Sequence, residues 1–128
     1  MATTPLLQTT PDGLYCAAGD FHVDPWRPVP RAVVTHAHAD HARWGCGRYL
    51  VAAEGAPVFR TRLGEKADIE AVPYGETRDL RGVHVSLHPA GHILGSAQVR
   101  LAYRGEVWVV SGDYKTTPDA TCAAYEPV

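Results

Sequence analysis

Apolar residues along this chain occur in short runs that are rich in β-branched side chains, and Gly, Pro and Asp separate the runs. This spacing is typical of many short strands rather than of long helices. The best helical candidate is Ala56–Leu63, which follows Gly55 and has Pro57 at a first-turn position. The runs predict strands at residues 14–16, 21–23, 32–35, 49–52, 69–72, 83–87, 98–103 and 107–111.

A β-hairpin over residues 98–111 is the clearest of these elements. Its first arm alternates apolar and polar residues, and the chain then turns at Arg104, Gly105 and Glu106. The second arm, Val-Trp-Val-Val at residues 107–110, is continuously apolar. A run of this kind is typical of a buried strand, so we expect the second arm to be buried.

Length and composition restrict the protein class. The chain has 128 residues, 45% hydrophobic residues and a formal net charge of −2, which fits a single soluble domain and indicates no partner by charge alone. No apolar stretch reaches the length of a membrane span, and the first residues lack the pattern of a signal peptide, so we expect a cytoplasmic protein without a membrane partner. The three widely spaced cysteines fit reduced structural thiols.

A dense group of metal-ligand side chains follows the apolar run that begins at residue 32. Within six positions the chain places His36, His38, Asp40 and His41. Strand periodicity puts His36 and His38 on one side, and the turn beyond the strand lets Asp40 and His41 reach a second point nearby. Imidazole with carboxylate suits Zn²⁺, Mn²⁺ or Fe²⁺ better than Ca²⁺. Ordinary surface histidines are the alternative, but this density disfavours them.

Two further strand ends carry one potential ligand each. His92 follows the run 83–87 in a turn where Gly91 and Gly95 permit close backbone approach. Asp113 follows the run 107–110 in a Ser-Gly-Asp turn. We therefore predict that three strand ends converge and bring the side chains of His36, His38, His92 and Asp113 within about 5 Å of one point.

The order HxHxDH, GHxxGS and Ser-Gly-Asp over residues 32–115 resembles the metallo-β-lactamase superfamily. The resemblance implies an α/β fold, the αββα sandwich, of which this chain supplies mainly the strand-rich N-terminal half. It also implies two divalent metal ions, with zinc expected and Mn or Fe as alternatives. By the same resemblance His36, His38 and His92 hold one metal, Asp40 and His41 hold the second, and Asp113 bridges the two.

The sequence motifs around these ligands resemble those of the nuclease branch, the β-CASP-like enzymes of RNA processing and DNA repair. Pro-Tyr-Gly-Glu at 73–76, the segment 89–98 and Ser-Gly-Asp-Tyr-Lys at 111–115 are most similar to bacterial ligase-associated DNA exonucleases. The implied activity is metal-dependent hydrolysis of DNA phosphodiesters by an exonuclease of ligation or repair, with an ATP-dependent DNA ligase as a potential partner. The alternatives are an RNA-processing nuclease of the same fold and a catalytically silent metal-binding or interaction module. Hydrolysis of a small molecule, such as a lactam or a thioester, is a further and less favoured alternative.

Several residues receive roles in this scheme. A metal pair activates a shared water and neutralises charge on phosphate oxygens, so Asp40 and Asp113 are the expected catalytic carboxylates. Lys115 and Tyr114 are candidates for phosphate contact, against the alternatives of a solvated lysine and a packed tyrosine. By resemblance, Asp20 matches the acidic residue that precedes HxHxDH and would orient a metal ligand. His22, His84 and His88 lack a partner motif, and we expect them to be structural or exposed.

The chain stops soon after its Ser-Gly-Asp turn, whereas members of this branch continue well beyond it. We therefore expect residues 1–128 to be the N-terminal portion of an incomplete domain, completed in cis or by a second chain. On this interpretation the second sheet, the cap domain and a C-terminal histidine are missing. The runs 32–35, 83–87 and 107–111 would then leave one apolar sheet face uncovered.

Overall fold

The computed structural model describes residues 5–37, 42–91, 94–111 and 127–128. Its strands form two sheets, of six and four strands. In the first sheet they are β1 (Gln8–Thr10), β2 (Gly13–Cys16), β3 (Phe21–Val23), β4 (Arg31–Val33), β5 (Arg48–Ala52) and β6 (Ile69–Val72). In the second they are β7 (Thr77–Leu80), β8 (Val83–Pro89), β9 (Ala97–Tyr103) and β10 (Glu106–Val110). Helix α1 is Ala56–Leu63, directly after a 3-10 turn at Ala53–Gly55.

Strands that are neighbours in the chain are also neighbours in each sheet. β1, β2 and β3 pair antiparallel, whereas β3, β4, β5 and β6 are parallel. β7 to β10 form an antiparallel meander. Because β3 and β4 are parallel, the residues after Val23 and after Val33 leave the sheet at the same edge. This edge positions the candidate site.

The two sheets pack face to face across one hydrophobic core. Val23, Val33 and Leu50 of the first sheet contact a cluster that includes Val85 and Val99 of the second. A second core lies on the outer face of the first sheet, because strand residues alternate between the two faces. Helix α1 covers this outer face. In the described ranges the layers are therefore helix, six-stranded sheet and four-stranded sheet.

Helix α1 lies where the sequence predicts it, with Gly55 as its N-cap and a proline in its first turn. The eight predicted strands are all present, with ends that shift by at most two residues. The sequence did not indicate β1 and β7, which are short and polar. The predicted hairpin is β9–β10, and positive φ angles at Arg104 and Gly105 give it a tight two-residue turn.

Two expectations about burial are wrong. The chain does contain a partner sheet, since β7 to β10 cover the inner faces of β4 and its neighbours. Strand β10, predicted to be buried, is exposed along most of its length, with Val107 at 54% and Val109 at 40%. The physical reason is position. β10 is the end strand of its sheet and pairs only with β9 among the described strands.

Within the ranges that the structure describes, no helix has the length and apolar character needed to cross a membrane.

Candidate metal centre

His36 lies three residues beyond the end of β4, at the edge where the parallel strands finish. Its side chain and that of Thr35 are completely buried. The chain remains extended along the sheet just before it, because the Val34 N–H donates to the Leu50 carbonyl at 3.1 Å. A buried histidine at a strand end is positioned by the scaffold rather than by a solvent-exposed loop.

Asp24, the first residue after β3, holds this segment through both carboxylate oxygens. The Thr35 N–H donates to Oδ1 of Asp24 at 2.8 Å, and the Thr35 hydroxyl donates to Oδ2 at 2.7 Å. The Asp24 N–H in turn donates to the Val33 carbonyl at 2.9 Å. Charge-assisted hydrogen bonds of this kind are among the stronger ones in proteins, so Thr35 has little rotational freedom.

The same contacts determine the tautomer of His36. Nδ1 of His36 lies 3.0 Å from the Thr35 hydroxyl oxygen. Because that hydroxyl gives its proton to Asp24, its oxygen accepts from His36, and the imidazole proton belongs on Nδ1. The lone pair then belongs on Nε2. A histidine whose second nitrogen donates to an oriented acceptor is the usual arrangement for a metal ligand.

Two more elements fix the backbone around His36. The Ala97 N–H, at the start of β9, donates to the Thr35 carbonyl at 2.7 Å, which joins the second sheet to the first at this edge. From helix α1, Nε of Arg62 donates to the Ala37 carbonyl at 3.0 Å. The segment that carries His36 is therefore attached to β3, β9 and α1.

The turn between β8 and β9 adjoins the same edge. Gly91 and Gly95 both have positive φ, and Gly95 lies so close to Gly55 at the start of α1 that any side chain would meet backbone. The Tyr74 hydroxyl donates to the Ser96 carbonyl at 2.7 Å and closes the turn from the side. The close approach that the structure shows is between Gly95 and Gly55, whereas the approach predicted around His92 stays a prediction. This turn carries His92, which lies outside the described residues.

His36 is the only predicted metal ligand within the described residues. The other five ligands, together with the two phosphate-contact candidates, lie outside them: His38, Asp40, His41, His92, Asp113, Tyr114 and Lys115. Among the residues that are described, no three His, Cys, Asp or Glu side chains are grouped as a metal site requires. The predicted convergence of ligands therefore stays a prediction, supported by the contact of Thr35 with Ala97.

Asp20 lies at the other end of β3, up to about 13 Å along the strand from Asp24. The Tyr15 hydroxyl donates to it at 2.8 Å, and Arg31 and Arg81 lie within 3.4 and 3.8 Å of its carboxylate. The Tyr15 hydrogen bond, with both guanidinium groups adding to it, lowers the pKa of Asp20. In the described contacts, Asp24 rather than Asp20 supports His36.

The other described histidines have separate surroundings. His22 stacks on Tyr15 with ring centroids 4.6 Å apart, and burial lowers its pKa. His84 is exposed and lies 3.6 Å from Asp79, and His88 lies 2.9 Å from the Ser86 hydroxyl. Cys16 is buried and free, and Cys46 is also free. These positions agree with the structural or exposed roles expected for all three histidines.

Sequence reasoning missed Asp24 and Thr35 as positioning residues. The signal for Asp24 was its place in Val23-Asp24-Pro25, directly after an apolar run that pairs in parallel with the histidine strand. The signal for Thr35 was a hydroxyl immediately before the first ligand. Both become visible only when β3 and β4 are known to be parallel neighbours, because strand pairing brings residue 24 beside residue 35.

Two solved metallo-β-lactamase structures superimpose on this chain. The metallo-β-lactamase SMB-1, crystallised with 2-mercaptoethanesulfonate, superimposes with a TM-score of 0.53 at 20% sequence identity, over 80% of this chain and 54% of its own. The FEZ-1 metallo-β-lactamase of Legionella gormanii gives a TM-score of 0.50 at 17% identity, over 90% of this chain and 61% of its own.

A curated sequence relative adds one name. A protein of Opitutus terrae named as a probable DNA ligase is 38% identical over 106 residues, which are 80% of this chain. The chain spans only 10% of the length of that relative. No protein-family model matches the sequence. Two sheets packed face to face, one short helix on the first sheet and the two structural superpositions show that this chain has the metallo-β-lactamase fold.

Proposed function

We propose that the chain is part of a metal-dependent phosphodiesterase that acts on DNA, as a cytoplasmic exonuclease of ligation or repair. The observation that carries the proposal is the series of hydrogen bonds from the half-buried Asp24 through the buried Thr35 to Nδ1 of His36. These hydrogen bonds orient the His36 imidazole at the sheet edge where the sequence predicts a dense set of metal ligands. A histidine that donates from one ring nitrogen to an oriented acceptor is in the arrangement usual for a metal ligand.

The residues fit a metal centre by the chemistry of their donors. His36 is buried, and its Nε2 lone pair suits Zn²⁺, Mn²⁺ or Fe²⁺. In the proposed centre His36, His38 and His92 hold one ion, Asp40 and His41 the other, and Asp113 both. Bound metal would supply Lewis-acid activation of water and neutralise phosphate charge. Asp40 and Asp113 would orient the attacking water, and Lys115 and Tyr114 would contact the phosphate.

DNA is the proposed substrate on two grounds. The sequence motifs around the ligands resemble those of ligase-associated exonucleases. The relative from Opitutus terrae is named as a probable DNA ligase. That relative is about ten times as long as the matched region, so a ligase acting beside this domain is a reasonable partner, in the same polypeptide or as a separate protein. Digestion of DNA ends before sealing is the activity that would link the two.

Cleavage assays on the full-length protein test this function. We expect metal-dependent release of nucleotides from an end-labelled DNA oligonucleotide, with little release from RNA of the same sequence. His36→Ala, His38→Ala and Asp113→Ala should each abolish cleavage, because each removes a ligand at the edge of the scaffold. His84→Ala is the matched control, since this histidine is exposed on the second sheet and should be dispensable.

Other outcomes favour the alternatives. Preferential hydrolysis of RNA would replace DNA with RNA as the substrate. Fewer than two metal ions per chain, with no cleavage of either nucleic acid, would indicate a silent interaction module. Cleavage that persists in both His36→Ala and Asp113→Ala would contradict the proposed metal centre altogether.

A further inference from the structure

Two tryptophan side chains of this small protein are held out in solvent. Trp26 is 56% exposed and Trp44 is 77% exposed. Each has an arginine as its chain neighbour, Arg27 and Arg43, and both arginines are exposed. We call these four residues the Trp–Arg surface. Exposing two large aromatic rings has a free-energy cost, which a ligand that covers them would offset.

The two halves of the Trp–Arg surface lie on neighbouring loops. The Gly47 N–H donates to the Val29 carbonyl at 3.0 Å, so the loop after β3 and the loop before β5 run side by side. Gly45 packs on Pro28, where an added Cβ would lie 3.2 Å from Cγ of the proline. One ligand could therefore contact both tryptophans.

Hydrogen bonds hold both loops in place. The Tyr49 hydroxyl donates to the Arg43 carbonyl at 2.6 Å and accepts from the Cys46 N–H at 3.0 Å. Burial raises the pKa of Tyr49 to about 12, so the hydroxyl keeps its proton at neutral pH. On the other loop, the Trp26 N–H donates to the Asp12 carbonyl at 2.8 Å. Trp26 and Trp44 thus project from fixed backbone.

Both halves of the Trp–Arg surface lie close in sequence to residues of the candidate metal centre. Trp26 lies two residues after Asp24, the carboxylate that holds the His36 segment. In the sequence, Arg43 lies two residues after His41, the last histidine of the predicted ligand run. The contact between the two loops, Gly47 with Val29, lies before β4 and β5, at the opposite ends of these strands from His36.

We propose that the Trp–Arg surface binds single-stranded DNA, with bases stacked on Trp26 and Trp44 and phosphates held by Arg27 and Arg43. This inference rests on the proposed nuclease function and specifies the form of its substrate. Aromatic faces alternating with cationic groups suit single strands, because their bases are free to stack on protein rings. In an intact duplex the internal bases are already stacked. Arg27 lies 3.9 Å from Asp12, but both side chains are exposed and a polyanion can replace so weak a pair.

Binding is measured with the full-length protein in EDTA, so that metal-dependent cleavage cannot interfere. The probes are a fluorescent oligo(dT) of about 15 nucleotides and a blunt duplex of equal length. We expect Trp26→Ala and Trp44→Ala each to weaken oligo(dT) binding about ten- to hundred-fold, and Trp→Phe at either position to restore most of the affinity. Trp108→Ala, on the second sheet, is the matched control and should bind like wild type.

Salt dependence tests the arginines separately. For single strands, the slope of log affinity against log salt falls by about 0.7 for each phosphate contact that is lost. Arg27→Ala and Arg43→Ala should each reduce the slope by about this amount, whereas Arg104→Ala, in the β9–β10 turn, should leave it unchanged. Unchanged circular dichroism spectra exclude unfolding as the cause of any loss.

The inference is overturned if both Trp→Ala variants keep wild-type affinity, or if the blunt duplex binds equally well with the same dependence on tryptophan. It is also overturned if these variants alter only self-association or protein binding. Its failure differs from failure of the proposed function. If binding depends on the tryptophans but no metal supports cleavage, the nuclease function is contradicted and the binding surface is supported. If both tryptophan variants cleave DNA with unchanged KM, the binding surface is contradicted and the nuclease function is supported.

Discussion

The carboxylate of Asp24 determines the orientation of His36, the predicted metal ligand within the described residues. Asp24 uses both oxygens on Thr35, and Thr35 passes the constraint to Nδ1 of His36. All of these contacts involve a residue that follows β3 and a segment that follows β4. The orientation of His36 is therefore a property of strand pairing as much as of its own sequence.

Removing this constraint should weaken metal binding without unfolding the protein. We expect Asp24→Asn and Thr35→Val to lower metal affinity about ten- to hundred-fold, because the His36 ring loses its fixed tautomer and orientation. Titration with zinc against a fluorescent chelator gives the affinity. Thr9→Val, in exposed β1, is the matched control. Equal affinity in wild type, Asp24→Asn and Thr35→Val would show that the hydrogen-bond chain does not orient a metal ligand.

Asp20 should stabilise the fold in a pH-dependent way. Its pKa lies below the ordinary 3.8 in the folded protein, so its contribution is fully present above that value and is lost as pH falls through the lowered pKa. Asp20→Asn should therefore destabilise at about pH 7 and much less at about pH 3, measured by urea unfolding. Asn tolerates the positive φ of this position, so the change isolates the carboxylate. A difference of equal size at both pH values would contradict the assignment.

The residue level also shows what the sequence could reveal. His36 was identified because three histidines and an aspartate in six positions are a strong local signal. The local sequence does not show whether Asp20 or Asp24 lies beside the His36 segment, since both flank the same short strand. Only the parallel register of β3 with β4 decides which end of β3 lies beside the histidine segment.

At the level of elements, the β8–β9 turn and the start of helix α1 meet through two glycines. Gly55 is the N-cap of α1, and Gly95 combines a positive φ with contact to the Gly55 backbone. The atoms in contact belong to the backbone on both sides, so they cannot move apart as the end of a flexible side chain could. The contact sets the distance between the helix and the turn that carries His92.

Gly95→Ala should be strongly destabilising, by roughly 2–5 kcal/mol, because backbone strain adds to the clash with Gly55. Gly105→Ala is a matched control, since its φ is also positive but nothing lies within 4 Å of the added Cβ. That control should lose only the strain, roughly 1–2 kcal/mol. Thermal and urea unfolding measure both. If the two variants lose the same stability, the contact between Gly55 and Gly95 contributes nothing.

Apolar patterns predicted the strands that carry the core and missed two polar edge strands. β3, β5 and β8 bury side chains, and their runs are visible in the sequence. β1 and β7 are edge strands with mostly polar side chains, held by backbone pairing to a hairpin partner. A composition signal is absent there because the stabilising groups are main-chain amides and carbonyls.

At the scale of the whole molecule, two sheets share one core, and β10 remains exposed at the end of the second sheet. The apolar patterns of β4 and β8 were correctly taken as surfaces in need of a partner. The error was to treat them as lacking one, because a sequence pattern shows that a face is apolar without showing which other face covers it.

The exposed edge of β10 should make the isolated polypeptide 1–128 self-associate. Val107 and Val109 present apolar side chains on a strand that pairs only with β9 among the described strands, and an edge of this kind favours strand addition. Val107→Lys should reduce association in sedimentation experiments, and its partner Ala102 on β9 leaves room for the charge. Val58→Lys on helix α1 is the control and should have no effect. A monodisperse wild-type fragment would contradict this expectation.

The sequential order of strands in both sheets has a consequence for assembly during synthesis. Within each sheet every strand after the first pairs with its predecessor, so the first sheet needs only residues that a ribosome has already delivered by position 72. Such local pairing is kinetically favourable. The bond from Ala97 to Thr35 must wait for the second sheet. The His36 segment therefore acquires its last backbone anchor late, and a nascent chain would complete its scaffold before it completes the place where chemistry is proposed.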